Sequence, residues 1–426
     1  MHVAVLGAGL QGVCVALELA QRGVSVDLVD QDARALNRAS LRNEGKIHIG
    51  FVYAKDTTLA TAEMMLDGAL RFRPLLSRWT AGGFNRLARS HPFAYVVAHD
   101  SLVPAERLAE HYAKVEQACR ERIEADASLD YLGERPEELW RRIDPARLDS
   151  VTSSGVAAAA FMTVEASIDL PATATLLRDA VAAAPAIRFR PGRRVLDVQR
   201  TASGFRVEGI ETVPETAGDG IQRERTRSWT MSCDQVVNAL WDGRLGIDSA
   251  IGLPPQRAWS HRLKYRVLVE LPPTLRKRPS MTIVLGPYGD IVVHPNGGGY
   301  VSWYPECLRE WSGALIPPES WDAPCRGVVP EAEAAELARR ALAAADRWIP
   351  GLAGTRPLTV DAGAIFAFGD TDITDPASGL HRRDIIGVRS VDGYHSVNTG
   401  KLTTAPMFAV DAADAVTGPS GVARAR

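Results

Sequence analysis

The sequence is poor in the features that mark metal sites, disulfide frameworks and membrane spans. Its 426 residues include only five cysteines, all widely spaced and with no C-x-x-C pair, so we expect reduced thiols and no metal. No apolar run reaches the roughly 18 residues that a membrane-spanning helix needs. The formal net charge is −2 with both signs interspersed, which argues against a nucleic acid or an anionic membrane as the main partner. We expect a small-molecule substrate instead.

The first apolar run begins at His2 and leaves no room ahead of it for a signal peptide. We therefore expect a cytoplasmic protein. With 46% apolar and 23% charged residues, the composition is that of an ordinary globular chain, large enough for two domains.

The first thirty residues predict a strand, a tight glycine turn, a helix and a second strand. Gly7, Gly9 and Gly12 complete a G-x-G-x-x-G motif after the apolar run His2–Leu6, and Asp30 follows the second strand. In this motif the glycines permit a sharp turn, close approach of a pyrophosphate to the backbone and close packing of the helix. Exposed amides at the helix start attract phosphate, and a carboxylate at Asp30 accepts the hydroxyls of an adenosine ribose and repels the extra phosphate of NADP. The motif predicts FAD or NAD as the ligand; the alternative is a βαβ unit with an empty turn.

Two further stretches have the pattern of helices. Apolar residues at helical spacing predict a helix over 57–73 that Pro74 kinks or ends. The Ala-rich stretch 331–347 predicts a second helix, which we expect to cover one face of a sheet.

The middle of the chain has the pattern of β-structure. Residues 195–198 and 205–210 flank a Ser-Gly turn and predict a hairpin, and the polar stretch 211–229 predicts an exposed hairpin tip. From Lys264 onwards, four strand-like runs separated by glycine-rich turns predict an antiparallel meander. We therefore predict an α/β fold with a Rossmann-like dinucleotide-binding domain, for FAD or NAD, and a second, antiparallel-sheet substrate domain. The predicted ranges are 1–85, 155–250 and 361–426 for the first domain, and 86–154 and 251–360 for the second.

Taken together, these features resemble the FAD-dependent oxidoreductases of the D-amino-acid oxidase type, a group that includes glycine oxidase, sarcosine oxidase and L-2-hydroxyglutarate dehydrogenase. The resemblance covers nearly the whole chain and implies the glutathione-reductase/D-amino-acid-oxidase type of fold. It is carried by the motif GAGLQG with Asp30, the segment SLRNEGKIHIG at 40–50, Val195 at a strand start, the strand VVNA ending at Ala239, and GKLTT at 400–404. The segment at 40–50 is most similar to the hydroxyglutarate enzymes.

The resemblance also implies how FAD is held. The loop 43–47 would lie along the isoalloxazine, and the backbone of Val195 would meet the adenine. Members that bind flavin covalently use His or Cys, whereas the matching positions here are Asn43 and Glu44, so we expect non-covalent FAD. Trp241 occupies a position where glycine usually follows the strand, and this departure affects the expected substrate rather than the cofactor. The expected cofactor-binding residues are Gly7, Gly9, Leu10, Gln11, Gly12, Asp30, Gln31, Asn43, Glu44, Gly45, Lys46, Val195, Ala239, Trp241, Gly400, Lys401, Leu402, Thr403 and Thr404.

Three residues are candidates for the chemistry. Lys401, at the start of the last predicted helix, would stabilise negative charge on the reduced flavin; the alternative is an exposed surface lysine. Arg383 would pair with a substrate carboxylate; the alternative is a structural salt bridge. His48, flanked by Ile47 and Ile49, would act as a base near neutral pH; the alternative is a histidine that only supports the site.

The expected activity is dehydrogenation of a C–N or C–O bond in a small polar substrate, an amino acid, an amine or a 2-hydroxy acid, by hydride transfer to flavin N5. The electron acceptor, oxygen or another, is left open. Two alternatives remain at this point. One is a flavin-dependent monooxygenase or other tailoring enzyme acting on a natural product, and the other is a non-catalytic FAD-binding protein.

Overall fold

The computed structural model describes residues 1–216, 222–375, 378–380 and 382–418. Within these ranges the strands are β1 His2–Leu6, β2 Ser25–Val29, β3 Phe93–Ala98, β4 Trp140–Arg142, β5 Ala157–Thr163, β6 Ile187–Arg190, β7 Arg193–Thr201, β8 Gly204–Thr216, β9 Gln222–Cys233, β10 Gln235–Asn238, β11 Trp259–Glu270, β12 Ser280–Val284, β13 Gly289–Val293, β14 Gly298–Trp303, β15 Leu308–Ser312, β16 Arg356–Phe368, β17 Gly387–Val391 and β18 Tyr394–Asn398. The α-helices are α1 Leu10–Gln21, α2 Ala60–Trp79, α3 Ala105–Ala125, α4 Leu170–Ala183, α5 Arg244–Ala250, α6 Tyr304–Cys307, α7 Asp322–Cys325, α8 Glu331–Asp346 and α9 Ala405–Thr417.

A six-stranded sheet contains the first strand of the chain. Its order is β17-β18-β10-β1-β2-β6, parallel throughout except for β17 at one edge. Alternate residues of β1 enter different cores, as a pleated strand requires. Val3 and Val5 join a core that includes α1, α4 and α9, while Ala4 and Leu6 pack in a separate core with residues of the three-stranded antiparallel sheet β7-β8-β9. The first unit is thus three layers, with helices on one face and a small sheet on the other.

A nine-stranded sheet forms the second unit. Its order is β15-β11-β14-β13-β12-β3-β5-β4, and β16 pairs along the other edge of β11. All neighbours are antiparallel except β3 and β12. Strand β3 alternates between cores: Tyr95 packs in the core shared with α2 and α3, and Val96 packs in a core under α8. The predicted α/β class, with a Rossmann-like sheet and a second, largely antiparallel sheet, is confirmed.

Several details of the predicted elements are confirmed and others need correction. The hairpin of β7 and β8 and the helix α8 over the second sheet are as predicted. Strands β12, β13 and β14 form the predicted meander, but β11 pairs with β14 instead of β12. The tip of the predicted polar hairpin, 217–221, lies outside the described residues. The domain boundaries stay a prediction, although β5, from the range 155–250, pairs within the second sheet.

The sequence predicted that Pro74 either kinks or ends the helix beginning near residue 57. The helix does not end there, because α2 continues to Trp79. A proline inside a helix removes the bond to the carbonyl four residues earlier. Here that carbonyl, on Leu70, accepts a hydrogen bond from the Asp130 amide at 3.4 Å. A tertiary contact therefore replaces the bond that the helix lacks.

Candidate functional site

A cavity of about 730 Å³ extends from the carboxyl ends of the parallel strands to the face of the second sheet. At one end Gly7 and Ala239 follow β1 and β10, and at the other Arg262 and Lys264 project from β11. Ligands of open parallel sheets bind outside the carboxyl ends of the strands. The cavity continues from this position to the second sheet.

The glycine turn brings the start of α1 against the first sheet. Gly7 has φ of +92°, and a Cβ there would lie 2.7 Å from the Ala239 carbonyl oxygen. A Cβ on Gly12 would lie only 1.8 Å from the Gly7 carbonyl oxygen. The helix start carries no acidic residue in its first turn, and its Leu10 amide donates to the Ser40 hydroxyl at 2.8 Å. A helix start without an acidic residue favours a phosphate group.

Asp30 lies in the cavity wall directly after β2. Its Oδ2 accepts a hydrogen bond from the Ala8 amide at 2.6 Å, and its Oδ1 accepts one from the Asp32 amide at 2.8 Å. Burial raises the pKa of Asp30 to about 6, although the two amides oppose the shift. The carboxylate thus both shapes the turn and faces the cavity.

A fully buried carboxylate holds the loop that contains His48. Glu165 accepts hydrogen bonds from the Ile49 amide at 2.7 Å and from the Tyr95 hydroxyl at 2.5 Å. Its Oε2 lies 3.4 Å from the Nζ of Lys46, which is also fully buried and donates to Thr282 at 2.6 Å. A buried polar network whose members are hydrogen-bonded makes the surrounding chain more rigid. Sequence reasoning missed Glu165, because nothing in its local sequence marks it.

The turn before this loop depends on Asn43. Its amide donates to the Ala39 carbonyl at 2.8 Å, and its Oδ1 accepts from the Gly45 amide at 2.7 Å. Both Asn43 and the neighbouring Glu44 line the cavity, whereas Gly45 faces away and packs near Ile168. Asn43 thus sets the course of the chain along the cavity wall.

His48, Glu44 and Lys401 form an ionisable cluster in the cavity. The Nε2 of His48 lies 3.4 Å from Glu44 Oε1, and neither ring nitrogen makes a hydrogen bond of normal geometry within the described residues. Burial lowers the pKa of His48, opposed by Glu44. Burial also lowers the pKa of Lys401, to about 8, and Arg383 adds to this shift while Glu44 opposes it. Burial alone would raise the pKa of Glu44, but His48 and Lys401 outweigh it and hold that pKa well below its ordinary value. At neutral pH the cluster is a neutral imidazole beside the Glu44 carboxylate, with the Lys401 ammonium close enough to act on both.

Arg383 is buried at the same end of the cavity. Its Nη1 donates to the Phe366 carbonyl at 2.8 Å, and its Nε has no hydrogen-bond partner among the described residues. Burial lowers the pKa of Arg383 to about 10, and Arg262 contributes to the decrease. No carboxylate of the described residues pairs with Arg383, so the predicted alternative of a structural salt bridge finds no support there.

Sequence reasoning missed a row of three cations on β11. Arg262, Lys264 and Arg266 alternate along the strand, so they share one face, and all three line the cavity. Arg266 makes a two-point contact with Asp361, at 2.6 and 3.1 Å. The alternation of basic residues in HRLKYR was visible in the sequence, but its face could not be assigned before the sheet was known.

Trp241 adopts a backbone conformation that usually belongs to glycine. Its φ is +57°, in the left-handed region that costs a non-glycine residue about 1 to 2 kcal/mol. The indole Nε1 donates to the Ala364 carbonyl on β16 at 2.8 Å. The side chain lines the cavity and bridges the two sheets. The position therefore keeps a backbone conformation typical of glycine, and its indole ring forms part of the cavity wall.

The structure gathers most of the predicted residues around this cavity. Those that line it are Gly7, Gly9, Leu10, Gln11, Asp30, Gln31, Asn43, Glu44, Lys46, His48, Val195, Ala239, Trp241, Arg383, Gly400, Lys401 and Leu402. The predicted residues that do not line it are Gly12, Gly45, Thr403 and Thr404. Thr403 instead accepts a hydrogen bond from the His48 amide at 3.0 Å, and Thr404 donates to the Thr399 carbonyl. These two threonines join the last helix to the neighbouring loops.

The donor set fits a dinucleotide. Besides the helix start, which has no acidic residue in its first turn, the buried Nε2 of Gln11 has no hydrogen-bond partner within the described ranges. Those ranges also contain no group of three or more His, Cys, Asp or Glu side chains placed to hold a metal ion. None of the helices they include is long and apolar enough to cross a membrane.

Solved structures with the same fold are similar over almost their full length. Glycine oxidase from Geobacillus kaustophilus superposes with a TM-score of 0.67 at 13% identity, covering 99% of this chain and 96% of that one. Iminodiacetate oxidase from Chelativorans sp. BNC1 gives 0.63 at 16%, covering 99% and 97%. L-Proline dehydrogenase from P. horikoshii gives 0.64 at 13%, covering 99% and 94%. At these identities the likeness shows the fold.

A search among curated proteins finds no match. The profile of one family, described as FAD dependent oxidoreductase (DAO), matches residues 2–414. That match spans both sheets and every segment that lines the cavity. The chain belongs to the DAO family of FAD-dependent oxidoreductases.

Proposed function

We propose that this enzyme oxidises the C–N bond of a small amino acid or amine that carries a carboxylate. The observation that carries the proposal is the continuity of the cavity, which joins the glycine turn to Arg383 and to the cluster of His48, Glu44 and Lys401. One end has the donors for a dinucleotide, and the other has ionisable groups suited to a charged substrate and to proton transfer. When bound, FAD accepts a hydride from the substrate carbon.

The residues that would hold FAD follow the length of the cavity. The amides at the start of α1 would bind the pyrophosphate, Asp30 would accept the ribose hydroxyls, and Val195 would meet the adenine. Residues 43–46 and 400–402 would border the ring system. We expect the attachment to be non-covalent, because Asn43 and Glu44 stand where covalent members carry a His or Cys.

The chain's own residues supply three further contributions. Arg383 would bind the substrate carboxylate through its guanidinium group, whose Nε has no partner among the described residues. His48 would accept a proton from the substrate, since its lowered pKa keeps the ring neutral at pH 7. Lys401 would place positive charge next to the ring end of the cavity. Glu44 would orient the His48 ring and hold the site's charges in balance.

The activities of proteins with similar structures favour C–N oxidation over C–O oxidation. Three of the similar structures are a glycine oxidase, an iminodiacetate oxidase and an L-proline dehydrogenase, and these compounds are all amino or imino acids. One similar structure is a glycerophosphate oxidase, so a hydroxy acid belongs in any test.

Anaerobic mixing of FAD-loaded protein with candidate substrates tests the reaction class. We expect amino acids or N-substituted amino acids to bleach the flavin absorbance, with hydroxy acids and NADPH much less effective. Bleaching by NADPH alone would instead indicate a monooxygenase. Flavin that no amine, amino acid or hydroxy acid reduces would contradict the proposal and favour a non-catalytic FAD-binding protein.

Denaturation tests the attachment. Acid or heat should release intact FAD into the supernatant, because no covalent link is expected. Flavin that stays with the precipitated chain would contradict this expectation.

A further inference from the structure

Two buried guanidinium groups face the substrate end of the cavity from adjacent positions. Arg262 on β11 is in register with Ile365 on β16, and Arg383 donates to the carbonyl of the next residue, Phe366. Neighbouring residues along a strand are about 3.3 Å apart. Both side chains therefore lie near the same end of the β11–β16 strand pair. Arg262 is 6% exposed and Arg383 is 5% exposed.

Neither guanidinium has a carboxylate partner among the described residues. The Nε atoms of Arg262 and Arg383 are both buried without a hydrogen-bond partner there. Arg262 donates from Nη1 to the Tyr304 hydroxyl at 3.3 Å and lies over the Trp311 ring at 5.0 Å, and only that hydroxyl connects it to Asp372. These contacts leave its charge unneutralised.

The neighbouring cations differ in having a carboxylate close by. Arg266, on the same face of β11, pairs with Asp361, which Arg42 also contacts at 3.3 Å. Lys264 and Lys401 share the charge of Glu44. Arg262 and Arg383 are therefore the cations at this end of the cavity that have no carboxylate partner among the described residues. A buried charge without a partner is costly, and a ligand of opposite charge removes that cost.

We propose that the substrate carries two acidic groups, one bound by Arg383 and the second by Arg262. This inference rests on the proposed function for the reacting carbon, and adds the substrate class: an amino or imino acid with a second carboxylate or phosphate. Arg262 is then a specificity-determining residue. The guanidinium fork recognises both oxyanions, because each presents two oxygens at matching spacing.

Calorimetric titration of the FAD-loaded protein with inert probes tests this inference without turnover. Glutarate and valerate have the same carbon chain and differ by one carboxylate, and 4-phosphonobutyrate supplies the phosphate-type arm. We expect glutarate or 4-phosphonobutyrate to bind about 10- to 100-fold more tightly than valerate, as one buried charge-assisted contact allows. The tighter of the two identifies the second group.

Variants assign the second group to its residue. Arg262→Met should reduce the affinity for the dianionic probe to that of valerate, with valerate binding unchanged within about twofold, since Arg383 remains. Arg262→Lys should restore part of the preference. Arg309→Met, at an exposed arginine on the neighbouring strand β15, is the matched control and should change nothing. Retained FAD absorbance shows that each variant is folded.

Equal affinities for glutarate, 4-phosphonobutyrate and valerate in the unmodified protein would overturn the inference, as would an unchanged preference in Arg262→Met. These results are distinguishable from failure of the proposed function, because binding is measured separately from flavin bleaching. A protein that oxidises monocarboxylic amino acids but shows no preference for dianions would retain the proposed function and lose only the second acidic group.

Discussion

The two ends of the cavity are built in different ways. The nucleotide end is built around the glycine turn and Asp30 of the first thirty residues, and the segments near Val195 and Ala239 complete it. The substrate end consists of ionisable side chains from four distant parts of the chain, represented by His48, Lys264, Arg383 and Lys401. The core of the nucleotide end is thus local in sequence, whereas the substrate end forms only when separate segments of the chain come together.

This difference has a physical consequence. A glycine turn fails by steric overlap, which no side-chain movement relieves. A cluster of ionisable groups fails by degrees, since each charge contributes separately and responds to pH. Variants at the two ends should therefore differ both in the size of the effect and in its dependence on pH.

The largest effect is expected at Gly12. In Gly12→Ala the new Cβ would meet the Gly7 carbonyl oxygen, which is 1.8 Å from the ideal position, so α1 must move away from β1. We expect FAD affinity to fall by at least about 10³-fold, equivalent to roughly 4 kcal/mol. Fluorescence titration of the apoprotein with FAD measures the change.

Gly313→Ala is the matched control, because no atom lies within 4 Å of a Cβ there. It should bind FAD like the unmodified protein. Normal FAD affinity in Gly12→Ala would show that the turn has room that the structure lacks.

The next effect is at Lys401. Lys401→Met keeps most of the side-chain length and removes the charge, so we expect a lower flavin midpoint potential and reduction by substrate about 10²-fold slower. Because the ammonium is charged below its pKa of about 8 and neutral above it, the ratio of unmodified to variant rates should fall as pH rises through 8. Anaerobic stopped-flow absorbance measures the rates.

Lys277→Met, at an exposed lysine on a loop of the second sheet, controls for loss of charge elsewhere and should leave the potential unchanged. A midpoint potential in Lys401→Met equal to that of the unmodified protein would restore the alternative of a lysine without a role in catalysis.

The smallest of the three effects is at Asp30. Asp30→Ala removes a charge-assisted contact worth about 1.5 to 3 kcal/mol, so FAD should bind roughly tenfold or more weakly. Binding should also weaken in the unmodified protein as pH falls through about 6, because the raised pKa protonates the carboxylate there. Titrations of the apoprotein with FAD across this pH range measure both.

Asp149→Ala, at an exposed carboxylate, should have no effect on FAD. Thermal unfolding of Asp30→Ala separates loss of the ligand contact from loss of the Ala8 and Asp32 hydrogen bonds. An affinity that is equal in Asp30→Ala and the unmodified protein would contradict the ribose role.

The elements predicted from the sequence are those whose signals are local. The turn at Gly7, the strand β1 and the helix α1 follow from adjacent residues, and so does the hairpin of β7 and β8. The helix continuing past Pro74 was not predictable, since its freed carbonyl finds a partner 60 residues away in Asp130. The order of strands in the second sheet was not predictable either, because runs of alternating residues do not specify which strands pair.

The same distinction between local signals and long-range contacts applies to the candidate site. The sequence alone determined the glycine motif and the place of Asp30 after the second strand, because this pattern depends on spacing within a short segment. The roles of residues 43–48, which the resemblance implied, stay a prediction. Only the tertiary structure decided that Arg262 faces the cavity, that Glu165 holds the loop and that Thr403 supports it from behind. A strand has two faces, and the role of a buried charge depends on partners that lie far away in the sequence. Those facts exist only once the sheets are assembled.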